Sequence, residues 1–521
     1  MGTTICDPRF FDCWFRDEPY GIKAEASGGG AVLRPDVDEC RFLGNTIAGL
    51  HLTDKSHGAA DVGGLVRNSW FEGGGDGAYI ESGKNAANTR IDFRGNFFHG
   101  QRGEGVDVIV NMPFDPQVSI EDCSFSSCGR GIRISGRFPP GSYSFTLKRN
   151  VVMHSRLLGS GGFDIRFGRT GTGTVSIRFQ SENNLAIGNS GHGFNYFFSS
   201  GLQLAFDSFG DRALNNGFQG TLFSCFSKNA TIRFRGGVIA KNQRMGMSLA
   251  AVSKAVVQFM TIADNGSYGF YSTSSTPYQI DHCIFANNRF NEARVPTNQL
   301  ITYSLFQTSS RVGKGNLHAV PKLARPSYHL LPGSPCIDAG NIAVLAPALD
   351  YEEDPRILAG KGNLKLPDLG ADEFSPTGSA HSYGIDGFGT SGFRPSIGVA
   401  GSPRDVRIGR SFGITLLKAK DFANFKAGSA LLVIGSRETG PLGLLDIGGL
   451  GAPGNFLWTS PLLVSPPVKP DNHGFAKVTL PVPNSLGIVG VNLSAQWWVF
   501  KPYTNAGGFV TTQGLRIQVG K

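Results

Sequence analysis

Ile91-Asp92-Phe93-Arg94-Gly95-Asn96-Phe97-Phe98, followed after a short gap by Gly105-Val106-Asp107-Val108, makes up one turn of a repeating unit. Ile91 to Arg94 alternates apolar and charged side chains with a period of two, as in a strand buried on one face. Gly95-Asn96 interrupts that strand, Phe97-Phe98 begins a second, and Gly105 opens a third. Working outward, the glycine returns as Gly21, Gly49, Gly77, Gly105, Gly131, Gly162, Gly193, Gly217, Gly246 and Gly269, in steps of 28 residues at first and 23 to 31 later. Ile22-Lys23-Ala24, Leu50-His51-Leu52, Ile132-Arg133-Ile134 and Phe163-Asp164-Ile165 follow their glycines. Ile120-Glu121, Phe145-Thr146-Leu147-Lys148, Ile177-Arg178-Phe179-Gln180 and Ile232-Arg233-Phe234-Arg235 repeat the opening strand. A repeat of this length made of strands and turns is a solenoid, whose units bury their apolar faces only by stacking on one another. No amphipathic run of period 3.6 appears, so the unit is β.

One slot in the bend also repeats: Cys13, Cys40, Asn68, Asn96, Cys123, Asn150 and Cys283. Asn tolerates the left-handed backbone of a tight bend and can bond to its copy one rung away, while Cys is a small, readily buried substitute. The order strand, Asn/Cys bend, strand, turn, Gly, strand resembles the right-handed parallel β-helix of the pectate-lyase-like superfamily. The fold expected is therefore all-β, with a right-handed parallel β-helix over residues 1–300. The resemblance also implies that the sheet after each glycine carries a substrate groove.

Composition agrees: Gly supplies 72 of 521 residues, only 17% are charged, and Phe (39) outnumbers Tyr (12) and Trp (5), as many turns and an interior stack of Phe require. A net charge of +9 is modest for this length, and no Lys/Arg run forms a nucleic-acid or membrane patch. It fits a solvated basic surface or attraction for an acidic polymer. The eight Cys include no C-x-x-C pair and no zinc spacing; Cys123 and Cys128 could bridge one turn. No 18-residue apolar run is present. Residues 1–16 lack the apolar core of a signal peptide, and the chain begins almost inside a rung, so a lost leader is expected.

A second pattern starts near residue 300. Gly333-Ser334-Pro335-Cys336-Ile337-Asp338-Ala339-Gly340-Asn341, Asp354-Pro355-Arg356 and Pro367-Asp368-Leu369-Gly370-Ala371-Asp372-Glu373-Phe374 together resemble the terminal module of the bacterial choice-of-anchor Q family of β-helix proteins. That resemblance implies a module at 301–376 and a secreted or cell-surface protein. Asp338, Asp354, Asp368 and Glu373 fit no metal-binding loop and read as turn and cap residues. After an expected exposed linker at 375–379, residues 381–521 hold short alternating runs between Gly/Pro turns, the pattern of an antiparallel β-sandwich. Trp497 and Trp498 could offer a sugar platform, but as strand neighbours they face opposite ways, so one is core.

Alternation places the second residue after each glycine outside the solenoid, one copy above another at about 4.8 Å. That column reads Lys23, His51, Tyr79, Asp107, Arg133, Asp164, Asn195, Gln219, Ser248 and Tyr271. The column two residues further on includes Glu25, Glu81, Arg166 and Thr221. His, Tyr, Asp and Arg crowd the middle rungs, and the C-terminal end reads as bland. Asp107 and Asp164 stand two rungs apart with Arg133 between them, a separation that suits inverting glycoside hydrolysis. Elimination from a uronate is the other chemistry, with Arg133 or Arg166 neutralising the sugar carboxylate. A solvated salt-bridge ladder explains the same residues without catalysis. Asp107, Arg133 and Asp164 are the catalytic candidates, and His51, Tyr79, Arg166 and Asn195 the substrate-binding ones.

Other motifs transfer no mechanism. Gly191-His192-Gly193 is similar to the His motif of polygalacturonases, Ile280-Asp281-His282 to the Ile-Asp-His of pectate lyases, and Asp76-Gly77 to their calcium-binding strand. The companion motifs are missing in each case. No cofactor is expected, and no clear motif supports Ca2+. Two function classes stay open. One is an extracellular or cell-surface protein that engages a polysaccharide, acidic ones included, and cleaves it as a lyase or hydrolase. The other is a non-catalytic adhesin or spacer.

Overall fold

The computed structural model describes residues 5–26, 31–55, 61–82, 90–111, 116–252, 254–274, 278–296, 299–309, 311–325, 327–342, 346–352, 354–358, 365–376, 378–383, 395–400, 402, 406–419, 429–438, 445–446, 452, 455–471, 473–500 and 507–520. Two compact units emerge: Met1–Pro321 with Leu369–Ala371, and Lys322–Asp368 with Asp372–Lys521.

The first unit is a right-handed parallel β-helix. Successive coils build three long parallel sheets of 12, 13 and 11 strands, the last made by the segments that follow the glycines. Phe93 pairs with Ile120 and Ile120 with Leu147 in the twelve-stranded sheet. These side chains, with Phe179 and Phe234, are buried. The interior is an aromatic stack: Phe15, Phe42, Phe71, Phe98 and Phe125 follow one another at 4.9, 4.5, 4.6 and 4.7 Å between ring centroids. This stack explains the first four glycines, Gly21, Gly49, Gly77 and Gly105; from Gly131 on, Val, Ala, Ile or Asn side chains and the next coil's carbonyl take the place of the Phe ring. A Cβ on Gly77 would lie 2.4 Å from Cδ1 of Phe98, and one on Gly105 only 2.3 Å from Cδ1 of Phe125.

One glycine was assigned to the wrong position. Gly193 stacks on Gly220 rather than Gly217, since Phe194 pairs with Thr221 and Asn195 with Leu222. Gly217 sits in the preceding turn, where a Cβ would meet the carbonyl oxygen of Ser190 at 2.3 Å. The outward column therefore reads Leu222 in place of Gln219, and the next column Ser224 in place of Thr221.

The bend ladder is also shifted at one rung. Trp70 pairs with Phe97 and Arg67 with Arg94, so Ser69, not Asn68, matches Asn96. Asn68 instead occupies the left-handed position of the two-residue bend, shared with Asp12, Glu39, Asp122 and Arg149 at φ between 47° and 54°. Asn suits either position, so sequence alone does not separate them. The true ladder carries the expected bonds: Ser69 N donates to Asn96 Oδ1 at 2.9 Å, Cys123 N to Asn150 Oδ1 at 3.1 Å, and Asn150 N to Asn184 Oδ1 at 2.9 Å. Cys123 and Cys128 are not joined by a disulfide.

A second ladder went unread. Asn189, Asn216, Asn242, Asn265 and Asn288 stack so that each backbone N–H donates to the next Oδ1 at 3.1 Å and each Nδ2 to the same oxygen at 2.9 Å. Each Asn from 189 to 265 stands four residues before its stacking glycine (Gly193, Gly220, Gly246, Gly269), a spacing that identifies Gly220.

The second unit is antiparallel. A six-stranded and a three-stranded sheet share one core, with Ile397, Phe412 and Ile414 from one and Leu432, Trp497 and Ile517 from the other. Trp497 is core, and Trp498 stacks on Phe509 at 5.2 Å. Ser375 and Ser379 are buried, against the expected exposed linker, because Gly378–Tyr383 is a strand paired with Gly514–Val519; Thr377 lies outside the described residues. The acids of this unit do serve turns: Asp368 accepts the backbone N–H groups of Asp338 at 2.6 Å and Phe374 at 2.7 Å, and Glu373 those of Leu358 and Asp368 at 3.0 Å. His329, Glu352 and Asp372 bring their ligand atoms within 4.8 Å of one another. Arg516 Nη1 already bonds to both His329, at 2.9 Å, and Glu352. No helix among the described residues is long and apolar enough to cross a membrane.

Candidate functional site

Six of the seven sequence-predicted residues share one column of the eleven-stranded sheet. Strand register stacks His51 on Tyr79, Tyr79 on Asp107, Asp107 on Arg133, Arg133 on Asp164, and Asp164 on Asn195. Arg166 lies in the next column, beside Ser135 and Phe197. The face is not an open wall of exposed charge. Asp107 is 3% exposed and Asp164 1%, each under an arginine whose own side chain reaches solvent.

The two aspartates differ in how their oxygens are used. Asp164 engages both oxygens: Oδ1 accepts from Arg166 Nε at 2.9 Å and Asn195 Nδ2 at 3.0 Å, and Oδ2 is ion-paired with Arg130 Nε at 3.5 Å. Asp107 has one partner, Arg133 Nη1, which reaches Oδ2 at 3.3 Å, while its buried Oδ1 has no hydrogen-bond partner. Burial pushes the Asp107 carboxyl up to about 7; Arg133 opposes this, and the nearby Glu104 and Asp76 add to it. A buried carboxyl with one unused oxygen and a near-neutral pKa is equipped to move a proton.

Among the residues standing directly before the glycines, sequence reasoning names Asp76 and His192 without giving them a role, and it misses Glu104 and Arg130. Asp76, Glu104, Arg130 and His192 precede Gly77, Gly105, Gly131 and Gly193, and they edge the same site. Glu104 pairs with Arg130, and its backbone N–H donates to Asp76 Oδ1 at 2.8 Å. Burial pushes Asp76 up to about 6; the Glu104 backbone N–H opposes this, and the Glu104 carboxyl adds to it. Burial pulls His192 down to about 4, leaving a neutral imidazole whose buried Nδ1 has no hydrogen-bond partner. A reading of the position before each glycine would have found all four.

His51 and Tyr79 form a separate end of the column. Their rings stack at 4.9 Å, Tyr20 covers His51 from the other side at 4.8 Å, and Tyr79 Oη donates to Glu81 at 2.8 Å. Burial pulls the His51 pKa down and pushes Tyr79 up. These groups offer ring faces and hydrogen bonds rather than proton transfer near neutral pH.

Beside the acids lies a groove of about 800 Å3, lined among others by Arg137, Arg166, Arg169, Asn195, Phe197 and Ser199. Arg166 and Asn195 bond to Asp164 and also line this groove, which joins the two parts. Its charged lining is entirely basic, so it suits an anionic ligand.

Residues 9–209 match the family model described as "Right handed beta helix region", in agreement with the parallel sheets. No curated protein matches the chain. Among solved structures, the tailspike protein gp49 from Acinetobacter baumannii bacteriophage Fri1, a capsular polysaccharide depolymerase, aligns with 95% of this chain and 76% of its own at 9% identity and a TM-score of 0.23. A score that low supports no inference about activity.

Proposed function

We propose that the protein binds an acidic extracellular polysaccharide along the eleven-stranded sheet and cleaves it beside Asp107. The observation that carries this reading is a buried carboxyl with an unused oxygen and a pKa near 7, next to an all-basic groove. Asp107 is the proton-transfer group. Protonated, it can deliver a proton to a glycosidic oxygen; ionised, it can take one from a sugar carbon made acidic by an arginine-paired carboxylate. Arg133 is the catalytic cation against Asp107, and Asp164 is a positioning residue that holds Arg166 and Asn195 toward the groove. Secretion or surface display, and a choice-of-anchor Q module at 301–376, belong to the same proposal.

The test is an assay on acidic polymers that reads new reducing ends and the ultraviolet absorbance of unsaturated uronates, which separates hydrolysis from elimination. Asp107→Asn should abolish either signal and leave polymer binding intact. A specific observation favours a second reading: the closed set of partners around Asp164 is also what a structural charge ladder would show. Polymer retained by the wild-type protein with no cleavage would select this adhesin reading.

A further inference from the structure

The C-terminal end of the same sheet, which reads as bland in sequence, carries a compact aromatic and cationic cluster. Tyr268 and Tyr271 lie on the strand Tyr268–Ser272, and Arg294 ends the neighbouring strand Asn291–Arg294. Tyr271 continues the column of Asp107 and Asp164 by way of Leu222 and Ser248, and Arg294 pairs with it on the next rung. The rings of Tyr268 and Tyr271 stand 5.5 Å apart, and Phe290 meets Tyr268 at 5.9 Å. Arg294 lies over both tyrosines at 5.5 and 5.7 Å and donates to Tyr268 Oη at 2.9 Å, while Arg289 lies 5.6 Å from the Phe290 ring.

Three properties distinguish this cluster from core packing. Phe290 is 64% exposed, although a buried position would stabilise it. Neither Arg289 nor Arg294 has an ion pair with a carboxylate among the described residues, so two cations stand on aromatic rings with their charge unneutralised. The face is also continuous with the groove, whose lining ends at Leu222 and Ser224, two ladder steps or about 10 Å before the Tyr271 rung. At the end of the groove the exposed rings of Phe197 and Phe226 pair at 5.7 Å, and Arg244, in the turn before the Ser248 rung, lies 4.1 Å from the Phe218 ring.

We infer that Tyr268, Tyr271, Phe290 and Arg294 form a distal subsite for a further acidic sugar unit of the polysaccharide held in the arginine groove. This rests on the polysaccharide reading above. The apolar face of a pyranose can lie on an exposed ring, and the unpaired guanidinium groups can meet its carboxylate. Four ladder steps separate the Asp164 and Tyr271 rungs, about 19 Å, so only a chain long enough to cover that span engages both places. The second contact then becomes intramolecular and raises affinity without altering the first.

The test uses polygalacturonate, alginate and hyaluronate, dextran as a neutral control, and size-graded oligosaccharides of whichever acidic polymer binds. Tyr271→Ala with Phe290→Ala should lower affinity for the long polymer about tenfold, while disaccharide binding stays within about twofold. Phe290→Trp should restore the long-polymer affinity. Arg166→Ala should weaken long and short ligands alike. Full long-polymer affinity in the double variant would overturn the distal subsite while leaving the groove standing. A wild-type protein that retains none of the acidic polymers would overturn the groove and the subsite together.

Discussion

Each unit of this protein buries a cluster of carboxyl groups, and the two clusters are wired differently. In the second unit Asp350, Asp368 and Glu373 point both oxygens at backbone N–H groups: Asp350 at those of Glu352, Asp354 and Glu373, Asp368 at Asp338 and Phe374, Glu373 at Leu358 and Asp368. Such acids tie loops together. In the β-helix, Asp107 and Asp164 meet side chains that could themselves move, and Asp107 keeps one oxygen unused. Burial raises the pKa of Asp107, Asp350 and Asp368 to about 7 alike. The teaching is that a shifted pKa does not tell a catalytic acid from a structural one, whereas the identity of its partners does.

The sharpest way to break this contrast is Asp107→Asn, which should lower polymer cleavage by about 10²- to 10⁴-fold while a thermal melt shows almost no change. A large loss of melting temperature would place Asp107 with the structural acids. The converse is Asp368→Ala, which strips the partners from two buried N–H groups. It should cost about 3 kcal/mol in urea unfolding followed by tryptophan fluorescence, Trp458 and Trp497 being buried in the same unit. Cleavage by the folded variant should be unchanged.

The pH dependence follows from the same shifts. The folded chain holds protons on Asp350, Asp368 and Glu373 at pH values where the unfolded chain, with carboxyl groups near 4, has lost them. Stability contributed by the protonated acids is therefore fully present below about pH 4, and it declines as pH rises through the folded values of about 7 and about 9. The melting temperature of the second unit should fall by a few degrees from pH 5 to pH 8. If Asp107 donates the proton, kcat/KM should fall above pH 7; if it accepts one, kcat/KM should rise toward pH 7.

Smaller effects separate the two kinds of asparagine. Asn216→Leu breaks the second ladder on both sides and should cost about 2 kcal/mol. Asn68→Gly, at the exposed left-handed position, loses one surface bond to Asp38 Oδ1 and should stay within about 0.5 kcal/mol. Equal costs would undo the distinction between a buried ladder position and the exposed left-handed one.

The solenoid was legible because its cause is local and repeated. Glycine recurs wherever an interior side chain or the next coil's carbonyl presses on the backbone, and alternation tells inside from outside rung after rung. The failures came where two positions accept the same residue type. Asn68 and Ser69 are neighbours in one bend, and Gly217 and Gly220 are both in turns, so composition could not rank them; the Asn ladder four residues upstream could have. The site was read in column but not in depth. Alternation places Asp107 and Asp164 outside, yet only the packing of Arg130, Arg133 and Arg166 over them reveals that they are buried and that Asp164 has partners on both oxygens. Asp76, Glu104 and His192 stand before the glycine, outside the alternating segment, so a motif match names Asp76 and His192 but does not place them beside Asp107 and Asp164.

The asparagine ladder also has a mechanical consequence. From Asn189 to Asn265, each Nδ2 donates forward to the next oxygen and back to a carbonyl one coil earlier, as Asn216 does to Asn242 Oδ1 and to Ala186 O. Every interior link is clamped from two sides, whereas a terminal link has one clamp and so yields first. Pulled end to end, such a thread should peel coil by coil from its tips. Each release should free a length set by the repeat of 23 to 31 residues, about 90 Å of extended chain, and an optical trap would record this as an evenly spaced staircase of force drops.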